Sequence, residues 1–209
     1  MNINEYQNYH ETKAHTSAEF PYNTYLCSIP LDFPGVPLHW HDELELVVIK
    51  RGQGFVSVDF DKRLVHSGDI IIIPPRCLHA IEQDDTFKME YENIIFKPDL
   101  LSSGANDLCM IQYIVPLLDG SLPIEYFLTP ALGSFEALSN CIRQIDLVCA
   151  DQTPGWQLAV KSSLFNFFFL LISERQKKTV STSSNSKSLE KMKTVFKIRR
   201  KSLYRKTND

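Results

Sequence analysis

The stretch "LHWHDELELVVIKRG", Leu38 to Gly52, restricts the fold more than any other part of the chain. It sets two imidazoles and two carboxylates on alternate residues and runs on into an apolar segment closed by glycine. Successive side chains of an extended strand point to opposite faces, so His39, His41, Glu43, Glu45, Val47 and Ile49 share one side. That side mixes charge with core. A surface strand would separate polar from apolar residues, whereas this pattern predicts a polar cavity floored by hydrophobic packing.

The flanking sequence supplies more strands. From Tyr22 to about Leu128, short β-branched or aromatic runs ("ELVVIK", "GFVSVDF", "DIIIIP", "FKMEYENIIF") are separated by the turn signals "RGQG", "HSGD" and "EQDD". Many short strands with frequent turns predict a sandwich or barrel. In the last run Phe87, Met89, Tyr91, Asn93 and Ile95 alternate with charged residues, so Tyr91 and Asn93 would offer a hydroxyl and an amide to the pocket.

After Thr129 and Pro130, a helix cap and first-turn pair, the period changes. Phe135, Leu138, Ile142, Ile145 and Cys149 follow a helical seam, "DQTPGW" breaks it, and a second helix is expected from about Pro154 to Arg175. Its segment "SLFNFFFLLIS" is apolar nearly all round and needs two neighbours: one face for the barrel or first helix, another for a second subunit. The expected organisation is therefore a polar arm over 1–21, a barrel over 22–128, a helical dimerisation hairpin over 129–176, and a polar linker with a basic tail over 177–209. Phe135, Leu138, Ile142, Ile145, Phe167 and Leu171 are the expected dimer contacts.

Charge divides along the same line. From Lys187 onward nine Lys and Arg face Glu190 and Asp209, which makes the tail +7 and, within a chain of net charge −3, leaves residues 1–186 at −10. An acidic body repels nucleic acid. The basic residues after Lys187 can only neutralise phosphates, so weak, sequence-independent DNA binding lost at physiological salt is expected of them. Five cysteines without CxxC spacing and no secretory leader predict a reduced, cytoplasmic protein. The apolar run "LFNFFFLLI" is nine residues long, against roughly 20 for a spanning helix, which predicts a buried helix and no membrane partner.

A second stretch, "GDIIIIPPRCLHA" from Gly68, complements the first. Together they read H-x-H-x3-E-x6-G and G-x5-P-x-R-x2-H, which resembles the two motifs of the cupin superfamily, with Arg76 where a glycine is usual and Gln83 where an asparagine is. The resemblance implies a small antiparallel β-barrel of the jelly-roll kind. The ligands it implies are His39, His41, Glu45 and His79, a set able to bind a divalent transition metal such as Zn, Ni, Fe or Mn. The alternative for these four is that they hydrogen-bond one another or a polar ligand. Cys77 shares the face of His79 by parity and reads as a small buried hydrophobe.

The order of parts narrows the resemblance. A barrel with both motifs, then "YENIIFKPDLL", two helices and a linker, is similar to the effector-binding and dimerisation region of AraC-family transcription regulators over about Tyr22 to Arg175. "SLEKMKTVF" resembles the start of that family's DNA-binding domain, but the recognition helices do not follow, so DNA contact is expected only through a C-terminal domain outside this chain. The expected function is small-molecule sensing without catalysis, in a pocket walled by His39, His41, Glu43, Glu45, Arg76, His79, Tyr91 and Asn93. That wall suits a small polar effector, polyhydroxylated as a sugar is, or cationic, bound by a homodimer. The alternatives are a metal-dependent cupin enzyme of the oxygenase or isomerase type and a free-standing sugar-binding cupin.

Overall fold

A computed structural model describes residues 3–104 and 107–179. A short helix α1 (Ile3–Gln7) opens an arm that leads into eight strands: β1 (Tyr22–Ile29), β2 (Gly35–His39), β3 (Leu44–Val58), β4 (Asp61–His66), β5 (Ile70–Ile73), β6 (His79–Gln83), β7 (Met89–Phe96) and β8 (Phe127–Leu128). All strand pairs are antiparallel. One layer runs β1-β7-β3-β5-β8; β2, β6, the second half of β3 and β4 make the other. The result is the cupin-like antiparallel barrel implied by the motifs, followed by a helical hairpin.

Strand β3 belongs to both layers. Its residues 44–52 pair with β7, its residues 53–58 with β4 and its residues 54–58 with β6. "RGQG" therefore does not end a strand, contrary to its reading as a turn. The register slips between Ile49 and Arg51, and Gly52 takes a left-handed φ of 80°, so the strand bends round a corner without leaving the sheet. A Cβ on Gly52 would lie 1.9 Å from the Lys88 carbonyl oxygen. Only glycine fits there. "HSGD" and "EQDD" are turns as expected.

Alternation along the shared layer divides two cores. Leu44, Leu46, Val48, Ile70, Ile72, Ile94 and Phe96 face the helices, while Val47, Ile49, Ile71, Ile73, Met89 and Tyr91 face the barrel interior. The unbroken run Ile70–Ile73 is explained by this two-sided burial. Between β7 and β8 the chain makes a 3₁₀ turn (Pro98–Leu101), a π turn (Met110–Ile114) and α2 (Val115–Leu118), helical pieces inside the stretch that reads as strands.

The hairpin is α3 (Phe135–Asp151) and α4 (Trp156–Thr179). Thr129 and Pro130 lie in the turn before α3, which starts five residues after that proline. Gln152 in a left-handed conformation closes α3, and α4 continues beyond Arg175 to Thr179, into the expected linker. The rest of the linker and the basic tail lie outside the described residues. By length and composition α4 could cross a membrane, but Val160, Leu164, Phe167, Phe168 and Leu171 on it pack into the core between helices and sheet.

The six residues expected at a dimer interface belong to this same core. Phe135, Leu138, Ile142, Ile145, Phe167 and Leu171 are each at most 9% exposed inside the single chain. Helical periodicity marks the face that is buried; the sheet of the same chain is what buries it.

Candidate functional site

Three elements converge at one end of the barrel interior. His39 ends β2, Glu45 lies near the start of β3, His79 opens β6, and His39 and His79 are paired in register across β2 and β6. The run from His39 to Ile49 is not one strand. It breaks between β2 and β3, with His41 in the connection, fixed by the Arg76 N–H donating to the His41 carbonyl (2.8 Å). One nitrogen from each of His39, His41 and His79 lies within 4.8 Å of the others. Glu45 Oε2 stands 3.0 Å from His41 Nε2 and 3.3 Å from His79 Nε2.

Backbone carbonyls set the ring orientations. His39 Nδ1 lies 2.9 Å from the Pro37 carbonyl, and His79 Nδ1 lies 2.9 Å from the Cys77 carbonyl. Only an N–H can bond a carbonyl, so Nδ1 carries hydrogen in both rings, and in the neutral ring Nε2 is left as a lone pair. Burial, aided by neighbouring His79, lowers His39 to about 4, which keeps it neutral at pH 7. Burial opposes ionisation of Glu45, yet its hydrogen bond with His41 holds its carboxyl far below the ordinary carboxylate range. Burial likewise opposes charge on His41, but its bond to Glu45 raises it above the usual imidazole value. The cluster is a buried carboxylate facing imidazole nitrogens, and it requires positive charge at its centre, as protons or as a metal ion.

Above the cluster is a cavity of about 460 Å³ whose lining includes His39, His41, Glu45, His79, Tyr91 and Asn93, together with Tyr25, Cys27, Asp32 and Phe33 from β1 and the loop after it. Glu11, Lys13 and His15 of the arm line it too. Nothing in the sequence marks these three, because the first 20 residues have neither period nor motif. The signal is tertiary: the Glu11 N–H donates to the Trp40 carbonyl, the Trp40 N–H donates to the Tyr9 carbonyl, and Tyr6 and His10 stack on the Trp40 indole.

With this geometry, the sequence matches the AraC-like ligand binding domain over residues 25–168. The chain belongs to the AraC-like ligand-binding family. It is 32% identical over 159 residues to the uncharacterized HTH-type transcriptional regulator YdeC of Bacillus subtilis, covering 76% of this chain and 54% of YdeC. It is 26% identical over 72 residues to the HTH-type regulator YbfI of the same organism, covering 34% of this chain and 26% of YbfI. The chain thus spans about half or less of the length of the curated relatives it matches. Among solved structures it is similar to a cupin protein from Bacteroides fragilis, at 24% identity and a TM-score of 0.36 over 42% of this chain and 80% of that one.

Two residues expected in the pocket of this AraC-like domain lie outside its wall. Glu43 is buried behind the cluster, with Oε2 3.6 Å from His41 Nδ1. The break between β2 and β3 destroys the parity that would have turned it inward. Arg76 turns away to Asp42, at 2.6 Å. Its backbone occupies the left-handed region (φ 61°), and its carbonyl accepts from the Tyr6 hydroxyl, so its place in the motif is conformational, at a position where glycine is the cheaper residue. Cys77 is fully buried, with its thiol 3.4 Å from Asp59.

Proposed function

We infer that this chain is the effector-sensing domain of an AraC-type transcription regulator, and that its effector binds in the barrel cavity over a divalent transition ion held by His39, His41, His79 and Glu45. The observation that carries the reading is the pair of Nδ1–carbonyl bonds, which leave Nε2 of His39 and His79 available to a ligand, His79 Nε2 beside Glu45, the arrangement that ligating histidines adopt. A bound ion would supply Lewis acidity and open positions for hydroxyl or carboxylate oxygens of the effector. Tyr91, Asn93 and Asp32 offer further polar contacts around it, which favours a small polyhydroxylated molecule such as a sugar, since buried polar groups require partners. DNA contact in the whole regulator belongs to a separate helix-turn-helix domain.

Assembly is a further part of this reading. Phe165 and Phe169 on α4, with Tyr113, border an apolar groove and remain exposed, Phe169 at 65%. A second subunit covering this strip forms the homodimer, in place of the core residues to which periodicity points.

Thermal unfolding of the chain with Zn, Ni, Fe or Mn salts, followed by a panel of sugars and amines on the metal-loaded form, tests the proposal. Ligand at about 100 times its dissociation constant adds roughly 2.7 kcal/mol, a shift of roughly 5–10 °C for a chain of this size. Binding without turnover supports a sensor. Stoichiometric metal with turnover of a small substrate replaces it by a metal-dependent enzyme.

A further inference from the structure

The face of β7 turned to the helices changes character at one position. Phe96 and Ile94 belong to the apolar core, but the next residue on that side is Glu92, buried at 6% exposure. Around it β1, β3 and α3 leave a crevice of about 540 Å³. Alternation along the strand separates this crevice from the barrel cavity: Tyr91 and Asn93 line the cavity, and Glu92 lines the crevice.

One ammonium serves two carboxylates there. Lys50, the extra residue where the β3 register slips, places Nζ 2.6 Å from Glu92 Oε2 and 3.1 Å from Asp146 Oδ2 on α3. The Thr24 hydroxyl on β1 donates to Glu92 Oε1 at 2.9 Å. Two oxygens are left short of donors. Asp146 Oδ1 is buried with no hydrogen-bond partner among the described residues, and Glu92 Oε2 has its ion pair with Lys50 but no bond of hydrogen-bonding geometry. Buried polar atoms are nearly always hydrogen-bonded, and a charged one left without a donor is the costliest exception. Burial, with the neighbouring charge of Glu92, also raises Asp146 above the ordinary carboxylate value, as expected of a cluster one positive charge short.

The surroundings select the missing cation. A divalent metal would enter beside the Lys50 ammonium and leave the two carboxylates overcharged, whereas one further ammonium group balances them and brings three N–H donors to the open oxygens. The rest of the lining is neutral: burial pushes up both the Tyr22 hydroxyl and the Cys149 thiol, so neither ionises at pH 7. Leu26, 79% exposed, and Ala150 supply apolar surface for a short carbon chain.

We propose that this crevice binds the primary ammonium group of a small alkylamine between Glu92 and Asp146, with its carbon chain against Leu26 and Ala150. It is a ligand site separate from the barrel cavity, and its occupant joins the sheet to α3.

The experiment uses the full chain and n-butylammonium chloride. Binding is read by the thermal midpoint, and its place by the rate at which N-ethylmaleimide labels Cys149, followed by peptide mass spectrometry. Butylammonium should raise the midpoint and slow Cys149 labelling at least about threefold, while 1-butanol, and potassium or magnesium chloride at equal ionic strength, should do neither. Asp146→Asn keeps the side-chain size and an oxygen for Lys50, and should weaken butylammonium binding at least about tenfold, the loss of one charged hydrogen bond, with protection of Cys149 lost. Leu26→Ala should weaken butylammonium severalfold and leave methylammonium unchanged. Affinity within twofold of the unchanged chain in Asp146→Asn would overturn the site, and protection by magnesium or by butanol equal to that by butylammonium would overturn the ligand class. Cys149 labelling in the unchanged chain is independent of whether any variant folds, and no slowing by butylammonium would overturn the proposal outright.

Discussion

Substituting alanine at Gly52 tests the corner on which the barrel depends. At φ +80° an L-residue costs roughly 1–2 kcal/mol, partly offset by a few tenths to 1 kcal/mol from restricting the unfolded chain. The steric part is larger. The new Cβ would sit 1.9 Å from the Lys88 carbonyl oxygen and 2.9 Å from its carbon, so β3 and β7 must part by more than an ångström at that point. Separation breaks the Gln53 N–H bond to the Lys88 carbonyl and disturbs the Gly52–Met89 pairing. At this half-exposed corner a lost hydrogen bond costs about 0.5–1.5 kcal/mol and the forced backbone shift about 1–3 kcal/mol more, which brings the total to roughly 3–4 kcal/mol. Gly68 is the internal control: its φ is +99°, equally hostile to alanine, but the nearest atom to a Cβ is Pro130 Cγ at 3.7 Å, an ordinary contact. Gly68→Ala should therefore cost about 1 kcal/mol. Equilibrium urea unfolding followed by tryptophan fluorescence reads both, and the difference should be about 2 kcal/mol or more. Equal losses, within about 0.5 kcal/mol, would refute the argument that Gly52 is required by strand contact as well as by backbone angle.

Phe167→Ala should lose about 3–5 kcal/mol of stability because the ring is fully buried, whereas Phe169→Glu should cost less than about 0.5 kcal/mol and shift a light-scattering mass from dimer to monomer. A dimer that survives Phe169→Glu would move the interface elsewhere. In chelator-treated protein, stability should be pH-dependent in a defined window. Glu45 is depressed from an ordinary 4.5, so its contribution is present above that pH and lost as pH falls towards the folded value. His41 is raised from 6.5, so its contribution is present below 6.5 and lost as pH rises through the raised value. Unfolding midpoints between pH 3 and 9 should peak at about pH 4.5–6.5 from this pair, and Glu45→Gln should flatten the profile. Tyr91→Phe should leave the fold in place and weaken effector binding severalfold in titration calorimetry, because Tyr91 lines the cavity.

The histidine cluster was readable because its spacing is its mechanism. His39 and His79 each end or begin a strand, and Glu45 follows at the parity that points inward, as do Tyr91 and Asn93. Glu43 failed because strand parity holds only while the strand does, and β2 ends at His39. "RGQG" has the composition of a turn, and only pairing of β3 with four different neighbours distinguishes a corner from a reversal. Periodicity along α3 and α4 identified the buried face correctly but carried no information on which surface covers it. Glu11 and His15 had no local signature, since their placement comes from Tyr6 and His10 stacking on Trp40.

The most direct test of the central claim is the metal content of the full chain purified without chelator, measured by elemental analysis beside the His41→Ala/His79→Ala double variant. About one transition-metal ion per chain, absent from a double variant that remains folded, is the predicted result. Less than about a tenth of an ion per chain after incubation with Zn, Ni, Fe and Mn salts would contradict it, leaving the cluster as a proton-sharing polar floor.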